Sequence, residues 1–244
     1  MIFGPHPPCD MIRVSQADYI NAWNKNALFI DPDTTYVSYT DMEKISFGAA
    51  CVIHPGVYLI GRVAIGAGAV IGPHCMLTDV QIGEDTLILS STITDTSVGS
   101  QCRIGPYALI ENSVSYDNTI IGFSTELRRT SLGPNSVAKH HCYIGDAQVG
   151  RDVNIAAGAI TGNYDGTRKH STIIEDGAFI GINVYIIASV TVGLESYIGA
   201  GAVITQNVEP HRVIIGVNRI LADKKSFRLK TGWQIREDAD TPAP

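Results

Sequence analysis

The sequence has few charged and few aromatic side chains. Asp, Glu, Lys and Arg make up 17% of its 244 residues, and Phe, Trp and Tyr make up 7%. The formal net charge is -6, so the chain lacks the broad basic surface that attracts nucleic acid or an anionic membrane. Scarce charge together with 24 glycines is typical of a repetitive β architecture of small residues, and it is not the composition of a helical bundle.

Long apolar runs are also absent. The sequence contains no stretch of about 18 consecutive apolar residues that would form a membrane-spanning helix. The first ten residues, MIFGPHPPCD, lack the basic start and the long apolar core of a signal peptide. We therefore expect a cytoplasmic protein that binds neither membranes nor nucleic acid.

Cysteine is present, but without the spacing of a metal or disulfide motif. The five cysteines are Cys9, Cys51, Cys75, Cys102 and Cys142, and no two of them form a CxxC pair. The last four occupy the same position of the repeat described next, where other units carry Ala, Thr, Ser or Val. We therefore expect them to be small buried wall residues, and we expect no metal site.

A six-residue repeat starts at Phe47 and continues to Val208. Its units follow the pattern aliphatic-Gly-x-x-small-x, as in IGAGAV from Ile65, IGEDTL from Ile82 and IGAGAV from Ile198. A period of six fits neither an α-helix, with about 3.6 residues per turn, nor a simple strand, with about two. It fits a solenoid whose coil has three flat sides, with one aliphatic residue per side pointing inwards and a glycine at the following turn.

The repeat divides the chain into three parts. Residues 1–45 precede it and are predicted to cap its open end, because a terminal coil needs covering. Residues 46–208 form the solenoid domain. Residues 209–244 are a C-terminal extension, in which we predict one strand around Trp233 and a disordered acidic tail.

One short helix is predicted before the repeat, in SQADYINAWNKN. Ser15 is its predicted N-cap, and Tyr19, Ile20 and Trp23 would lie on one side of it.

The repeat loses its regularity at two places on either side of a histidine pair. Its units loosen between Tyr116 and Ser131, and it stops after Thr161 for GNYDGTRKHST before it resumes at Ile173. The second segment is rich in Asn, Asp and Gly, so we expect it to leave the wall as a loop. Because the regular units build the wall, chemistry is expected where polar groups interrupt them.

The hexapeptide pattern resembles that of the left-handed parallel β-helix acyltransferase superfamily. Within it, HCYIGDAQVGRDVNIAAGAITGNYDGTRK and TIIEDGAFIG are most similar to the acetyltransferase domain of the bacterial GlmU family, which acetylates glucosamine 1-phosphate with acetyl-CoA. The resemblance implies an all-β fold with left-handed coils. The left hand comes from the resemblance alone, because the general rule for parallel crossovers predicts right-handed connections. It also implies an acetyl-CoA-dependent N-acetyltransferase acting on an amino-sugar phosphate or a nucleotide amino sugar, and a homotrimer with sites between subunits.

Acetyl transfer to an amine requires a base with a pKa near neutrality, and histidine suits this role. The resemblance places His140 at the catalytic base and Glu126, 14 residues earlier and near one coil length, at an acid close to that base. It places Asn163 near the acetyl group, where its amide would donate to the developing oxyanion. His141 matches no functional residue. Neighbours on a strand face opposite sides, so we expect only one of the two histidines to enter the site.

Binding residues also follow from the resemblance. A sugar phosphate needs cationic donors, and Arg128 and Lys169 match the family's phosphate and substrate lysines. Tyr143 and Asn154 match positions that bind the sugar. The family's acetyl-CoA contacts correspond to Asn163, Tyr164, Ala200 and, with a spacing two residues longer, Arg219.

Two positions depart from the family pattern. Glu111 stands where the family has an arginine that binds the substrate phosphate, and a carboxylate would repel that group. Ile182 stands where the family has a serine that bonds the cofactor. The acceptor's anionic group is therefore bound differently, or the acceptor is not glucosamine 1-phosphate.

Two other functions are open. A zinc carbonic anhydrase shares the superfamily fold, but it needs three histidines from two subunits, and this chain has no His-x4-His pair. Glu111 and Ile182 favour a catalytically degenerate relative that binds a sugar nucleotide or CoA as a regulator or scaffold. The intact set from His140 to Lys169 favours an enzyme, and the fold alone does not decide, because function lies in the site.

Overall fold

A computed structural model describes residues 10–216 and, for their backbone alone, the strands at 219–223, 227–230 and 234–237. The chain winds into a left-handed parallel β-helix, which confirms the predicted fold class. In the middle of the helix the in-register partners Leu109, Glu126, Tyr143 and Ile160 are 17 residues apart, so one coil takes three of the predicted units with one residue dropped.

Each coil has three flat faces. Face I consists of Tyr36–Ser38, Leu109–Glu111, Glu126–Arg128, Tyr143–Gly145, Ile160–Gly162, Tyr185–Ile187 and Val203–Ile204. Face II consists of Ile45–Phe47, Val114–Ser115, Ser131–Leu132, Ala147–Val149, Thr172–Ile174 and Thr191–Val192. Three longer strands, Tyr58–Ile65, Met76–Ile82 and Thr92–Val98, run round the corner from face I to face II. Face III consists of Ala27–Phe29, Cys51–Ile53, Val70–Ile71, Leu87–Ile88, Arg103–Ile104, Ile120–Phe123, Val137–His140, Asn154–Ile155, Phe179–Ile180, Tyr197–Ile198 and Arg212–Ile215.

Columns of inward-pointing aliphatic residues form the core. On face III, Ile88, Ile104 and Ile121 stack in register and are at most 2% exposed. Fully burying one such side chain contributes about 1.5–3 kcal/mol relative to leaving it exposed. The glycine of the unit is required by close packing of coils, since a Cβ on Gly66 would lie 2.6 Å from the carbonyl carbon of Gly83.

The cysteines are buried wall residues, as predicted. Cys51, Cys75, Cys102 and Cys142 are free thiols and at most 2% exposed. Burial raises the pKa of the Cys75 thiol to about 11, so this thiol is not a reactive nucleophile. Cys9 lies outside the described residues.

The segment before the repeat differs from the prediction. The α-helix is a single turn, Ile20–Trp23, preceded by a 3₁₀ helix at Val14–Gln16; a second 3₁₀ helix spans Tyr39–Lys44. Ser15 caps neither helix, because its hydroxyl donates to Asp33 at 2.6 Å. Trp23 packs against Phe29 and Phe47, with ring centroids 6.5 and 5.8 Å apart.

Parallel pairing starts before residue 46. Ala27–Phe29 pairs in parallel with Cys51–Ile53, so a coil of the solenoid already lies inside the predicted cap segment. Met11–Arg13 pairs antiparallel with Tyr36–Ser38 and closes the open edge. This strand removes an exposed row of backbone hydrogen-bonding groups.

The solenoid continues past residue 208. Arg212–Ile215 is its last parallel strand, and Arg219–Asp223 turns back to pair antiparallel with it. Phe227–Lys230 and Gln234–Glu237 form a hairpin. Trp233 and the tail predicted to be disordered lie outside the described residues. In the described part of the chain, no helix is long and apolar enough to cross a membrane.

Candidate functional site

The predicted site residues divide between faces I and III, on either side of the corner at residues 141 and 142. His140 ends the strand Val137–His140 on face III, and Tyr143 begins the strand Tyr143–Gly145 on face I. The chain turns between the two strands, so His140 projects from face III and Tyr143 projects from face I of the same coil.

A groove of about 280 Å³ on face III contains His140. Its lining residues are Lys139, His140, Asn154, Ile155, Ala156, Ala157 and Ile182. The structure therefore brings together the predicted base, a predicted sugar-binding residue and the isoleucine that replaces the family serine. Among the described residues, no side chain hydrogen-bonds the His140 ring, so its nitrogens are available to a ligand.

Both histidines of the pair are exposed, but only His140 lines the groove. His141 lies at the corner with a φ of 51°, and its ring packs edge-on against Phe123 with centroids 4.9 Å apart. The alternation of a flat strand does not apply, because the chain turns between the two residues.

Ala200 lies three coils from His140 at the same corner. The backbone amide of Gly158 donates to the carbonyl of His140 in the previous coil, and the amide of Gly201 donates in the same way to the carbonyl of Ile182. The residue just before each donating glycine therefore occupies the position that His140 has in its own coil. Ala200 is exposed and leaves the backbone accessible. The backbone of Arg219 lies in the strand Arg219–Asp223, and its side chain lies outside the described residues.

On face I, Arg128 is held between two carboxylates. Its Nε donates to Glu126, and its guanidinium lies 3.0 Å from a carboxylate oxygen of Glu111. The group of three carries one negative charge overall. Glu126 is paired in register with Tyr143 rather than with His140, because the coil repeats every 17 residues and not every 14. In the single chain Glu126 therefore bonds Arg128 and does not orient the imidazole.

Asn163 is the buried centre of a partly exposed polar network on face I. Its Nδ2 donates to Asp146 at 2.5 Å and to the Tyr143 hydroxyl at 3.3 Å, and the residue is 6% exposed. Both amide hydrogens are engaged, so donation to an oxyanion requires that one of these bonds be exchanged. Gly145 lies beneath the pair, where a Cβ would come within 2.6 Å of the Asn163 nitrogen and 2.7 Å of the Tyr143 oxygen.

Asp146 ties three coils together. Arg129, in the coil below, donates to it through two bonds of 2.5 and 2.9 Å, while Asn163 donates from the coil above. The bonds from Arg129 lower the pKa of the Asp146 carboxyl below its ordinary value; partial burial opposes this shift, and Asn163 adds to it.

The segment after Thr161 forms a loop, as predicted. In-register residues 160 and 185 are 25 apart instead of 17, so the loop projects from one coil. Tyr164 and Lys169 form an isolated antiparallel β-bridge, and the backbone amide of His170 donates to the Asn163 carbonyl at 2.8 Å. The backbone of Arg168 donates to Asp165, and this bond, with those from His170 and Thr167, holds the pKa of that carboxyl far below its ordinary value. Lys169 is exposed near the end of the loop.

Comparison with known proteins agrees with this architecture. The family model described as "Bacterial transferase hexapeptide (six repeats)" matches residues 44–79 and 171–206. These two segments thus carry the repeat of that family. It is 41% identical over 207 residues to the bifunctional protein GlmU of Halalkalibacterium halodurans, a match that covers 82% of this chain and 45% of that protein. It is 40% identical over 223 residues to GlmU of Carboxydothermus hydrogenoformans, covering 89% and 49%. The chain thus spans about half the length of these curated relatives.

Solved structures share the hexapeptide-repeat fold at low sequence identity. The UDP-N-acetylglucosamine acyltransferase of Campylobacter jejuni aligns with a TM-score of 0.53 at 18% identity, over 70% of this chain and 74% of that one. The corresponding enzyme of Francisella novicida aligns with a TM-score of 0.52 at 18% identity, over 81% and 71%. At this identity the likeness shows the fold alone.

Four residues of this hexapeptide-repeat protein were missed by the sequence analysis. Asp146 and Arg129 join the network, Gly145 makes room for it, and Lys139 lines the His140 groove. The 17-residue spacing of Arg129 and Asp146 was a usable signal, since residues one coil apart are neighbours. Lys139 gave no signal, because an isolated lysine in a strand is ordinarily a solvated side chain.

Proposed function

We propose that this protein is an N-acetyltransferase that transfers the acetyl group of acetyl-CoA to the amine of an amino-sugar phosphate or a nucleotide amino sugar. The observation that carries the proposal is the place of His140. It is exposed in a groove with Asn154, and its ring has no hydrogen bond to another described side chain. The similarity to GlmU over most of the chain supports the same reaction class.

In the proposed reaction the amine nitrogen of the acceptor attacks the thioester carbonyl. As it attacks, a ring nitrogen of His140 accepts a proton from the amine. The C–N bond forms and the carbonyl oxygen takes up negative charge. When the oxyanion collapses, the C–S bond breaks, and His140 returns the proton to the departing sulfur. General base catalysis of this kind contributes about 10²- to 10⁴-fold.

The remaining site residues act from face I of an adjoining chain. His140 and Asn154 lie on face III, whereas Glu126, Tyr143 and Asn163 lie on face I, and this division supports a homotrimer with sites between subunits. In the assembled site Glu126 would orient the imidazole, and Tyr143 would bind the sugar together with Asn154. Asn163 would donate to the oxyanion after exchanging its bond to Tyr143.

The other predicted contacts remain part of the proposal. Lys169 would reach the acceptor from the projecting loop, and Tyr164, Ala200 and Arg219 would contact acetyl-CoA. Arg128 was predicted to bind phosphate; that role requires a phosphate to displace Glu111 or Glu126 from its guanidinium.

The proposal is tested with purified protein, acetyl-CoA and a panel of amino sugars, by measuring release of free CoA thiol. We expect release with at least one acceptor, and we expect His140→Ala to lower kcat by about 100-fold or more while leaving the unfolding transition unchanged. His141→Ala is the matched control, since its ring packs against Phe123 outside the groove, and it should keep most of the activity. Absence of turnover with every acceptor, or normal turnover by His140→Ala, contradicts the proposal.

A catalytically degenerate protein that binds a sugar nucleotide or CoA is the second candidate. The neutralised Arg128 and the apolar Ile182 favour it, because each removes a polar contact expected for a substrate. Tight binding of CoA by calorimetry, without thiol release from acetyl-CoA, would identify this function.

A further inference from the structure

Lys139 is the one lysine among the described residues that line the His140 groove. It is exposed, and no carboxylate of the described chain lies within ion-pair distance of its ammonium group. The residues in register below and above it are Gly122 and Ala156, which offer no polar side chain to pair with it. The ammonium group is therefore free to bind a ligand.

Two cationic side chains next to the predicted substrate residues of face I are engaged instead. Arg128 is held by Glu111 and Glu126, and Arg129 is held by Asp146. An anion that approached Arg128 would have to displace a carboxylate or lie beside one, and like charges in contact are unfavourable. Face I therefore repels an anionic group at the place where the residue types alone suggest binding.

From this distribution of charge we propose that Lys139 binds the anionic group of the acceptor, which fixes that group on face III beside His140. The inference rests on the proposed function, because it assumes that the acceptor amine meets His140. A phosphate or carboxylate on the same sugar would then lie within reach of Lys139, the residue next to His140. Asn154, on the next coil of the same face, also lines the groove, and its amide would donate to the same group.

The anion belongs either to the acceptor or to the phosphates of CoA, and the position of Lys139 next to His140 favours the acceptor. In the proposed reaction the thioester and the acceptor amine both lie at His140, and the groove there has a volume of about 280 Å³. CoA is longer than this groove, and its phosphates lie far from the thioester that must meet the acceptor amine. Lys139 is thus a specificity-determining residue for an anionic amino sugar.

The test measures binding as well as turnover, so it stands even if the protein is not an enzyme. Calorimetry would compare glucosamine 1-phosphate, glucosamine 6-phosphate and unphosphorylated glucosamine as ligands of the full chain. We expect wild type to bind at least one phosphate ester more tightly than glucosamine, and Lys139→Met to raise the Kd of that ester about threefold to tenfold with little effect on glucosamine. The difference should shrink as ionic strength rises.

Control variants separate this role from loss of structure or of general charge. Lys139→Arg keeps the charge and should retain the preference for the phosphate ester. Lys25→Met removes an exposed lysine at the far end of the solenoid and should bind like wild type. In turnover assays Lys139→Met should raise KM for the phosphorylated acceptor and leave KM for acetyl-CoA unchanged.

Several outcomes overturn the inference. One is equal affinity of wild type for the phosphate esters and glucosamine; another is an unchanged Kd in Lys139→Met. A rise in KM for acetyl-CoA alone would assign the anion to the donor. A selective loss of phosphate-ester binding in Arg128→Gln, with Lys139→Met normal, would place the anion on face I. A different outcome separates the two proposals: if wild type shows no turnover but still prefers the phosphate esters, the proposed function is refuted and the role of Lys139 in binding stands.

Discussion

At the scale of single residues, Gly145 determines whether Tyr143 and Asn163 meet. The Tyr143 ring lies over Gly145, and the Asn163 amide, from the coil above, contacts the Tyr143 hydroxyl at the same place. A side chain there would push both polar groups apart, while the backbone around it would stay in place. The geometry of the network therefore depends on a missing Cβ.

We predict that Gly145→Ala lowers kcat about tenfold or more, because small displacements of positioned groups are costly to catalysis. The cost in unfolding free energy should be only about 1–2 kcal/mol, measured by urea titration. Gly162→Ala is the matched control on the next coil, where the nearest atom to an added Cβ is a flexible Ile187 methyl carbon at 3.2 Å. Equal activity loss in both variants would contradict this account.

At the scale of elements, the loop at 163–171 is ordered by its own hydrogen bonds. Asp165 accepts from the backbone of Thr167 and Arg168 at 2.7 Å each, and it pairs with His170 at 2.6 Å. These bonds favour the ionised carboxylate, so its pKa is lower in the folded loop than in the unfolded chain. Their contribution is fully present above the ordinary pKa of 3.8 and is lost as the pH falls through the lower, folded pKa.

We predict that Asp165→Ala loosens the loop selectively. Hydrogen exchange of residues 164–170 at neutral pH should accelerate, while exchange in the coils on either side should not change. In wild type, exchange corrected for its intrinsic pH dependence should stay constant from pH 8 to 5 and accelerate only in strong acid. Asp152→Ala, at an exposed corner of the wall, is the control. Unchanged loop exchange in Asp165→Ala would show that the bridge between Tyr164 and Lys169 suffices.

At the scale of the whole molecule, we propose that the site is built from two chains. His140 and Asn154 point from face III, and Tyr143 and Asn163 from face I, so no single coil surrounds a substrate with all four. A trimer whose subunits pack face III of one chain against face I of the next would complete three equivalent sites.

We predict that two inactive variants complement each other when they are co-expressed. His140→Ala lacks the base on face III, and Asn163→Ala lacks the donor on face I. Randomly mixed trimers should recover about a quarter of the wild-type activity, because each mixed trimer contains one site with both faces intact. Each variant expressed alone sets the background. Recovery no higher than that background would show that all of these residues act within one chain.

The sequence by itself determined the repeating parts of this protein. An aliphatic residue every sixth position fixes which side chains point inwards, so the fold class and the buried cysteines could be predicted from local pattern. The Asn- and Gly-rich segment after Thr161 fixed the position of the loop for the same reason, since its turn chemistry is local. The motif resemblance supplied His140 and Asn154, which the structure brings into one groove.

Only the tertiary structure decided how the charges are paired. Contacts between coils depend on a register of 17 residues, and a shift of three residues separates Glu126 from His140 and pairs it with Arg128 instead. The same stacking places Glu111 against Arg128 and leaves Lys139 between Gly122 and Ala156. The hexapeptide pattern specifies which way a side chain points, but a neighbour one coil away is set by the length of the whole coil, which no single unit encodes.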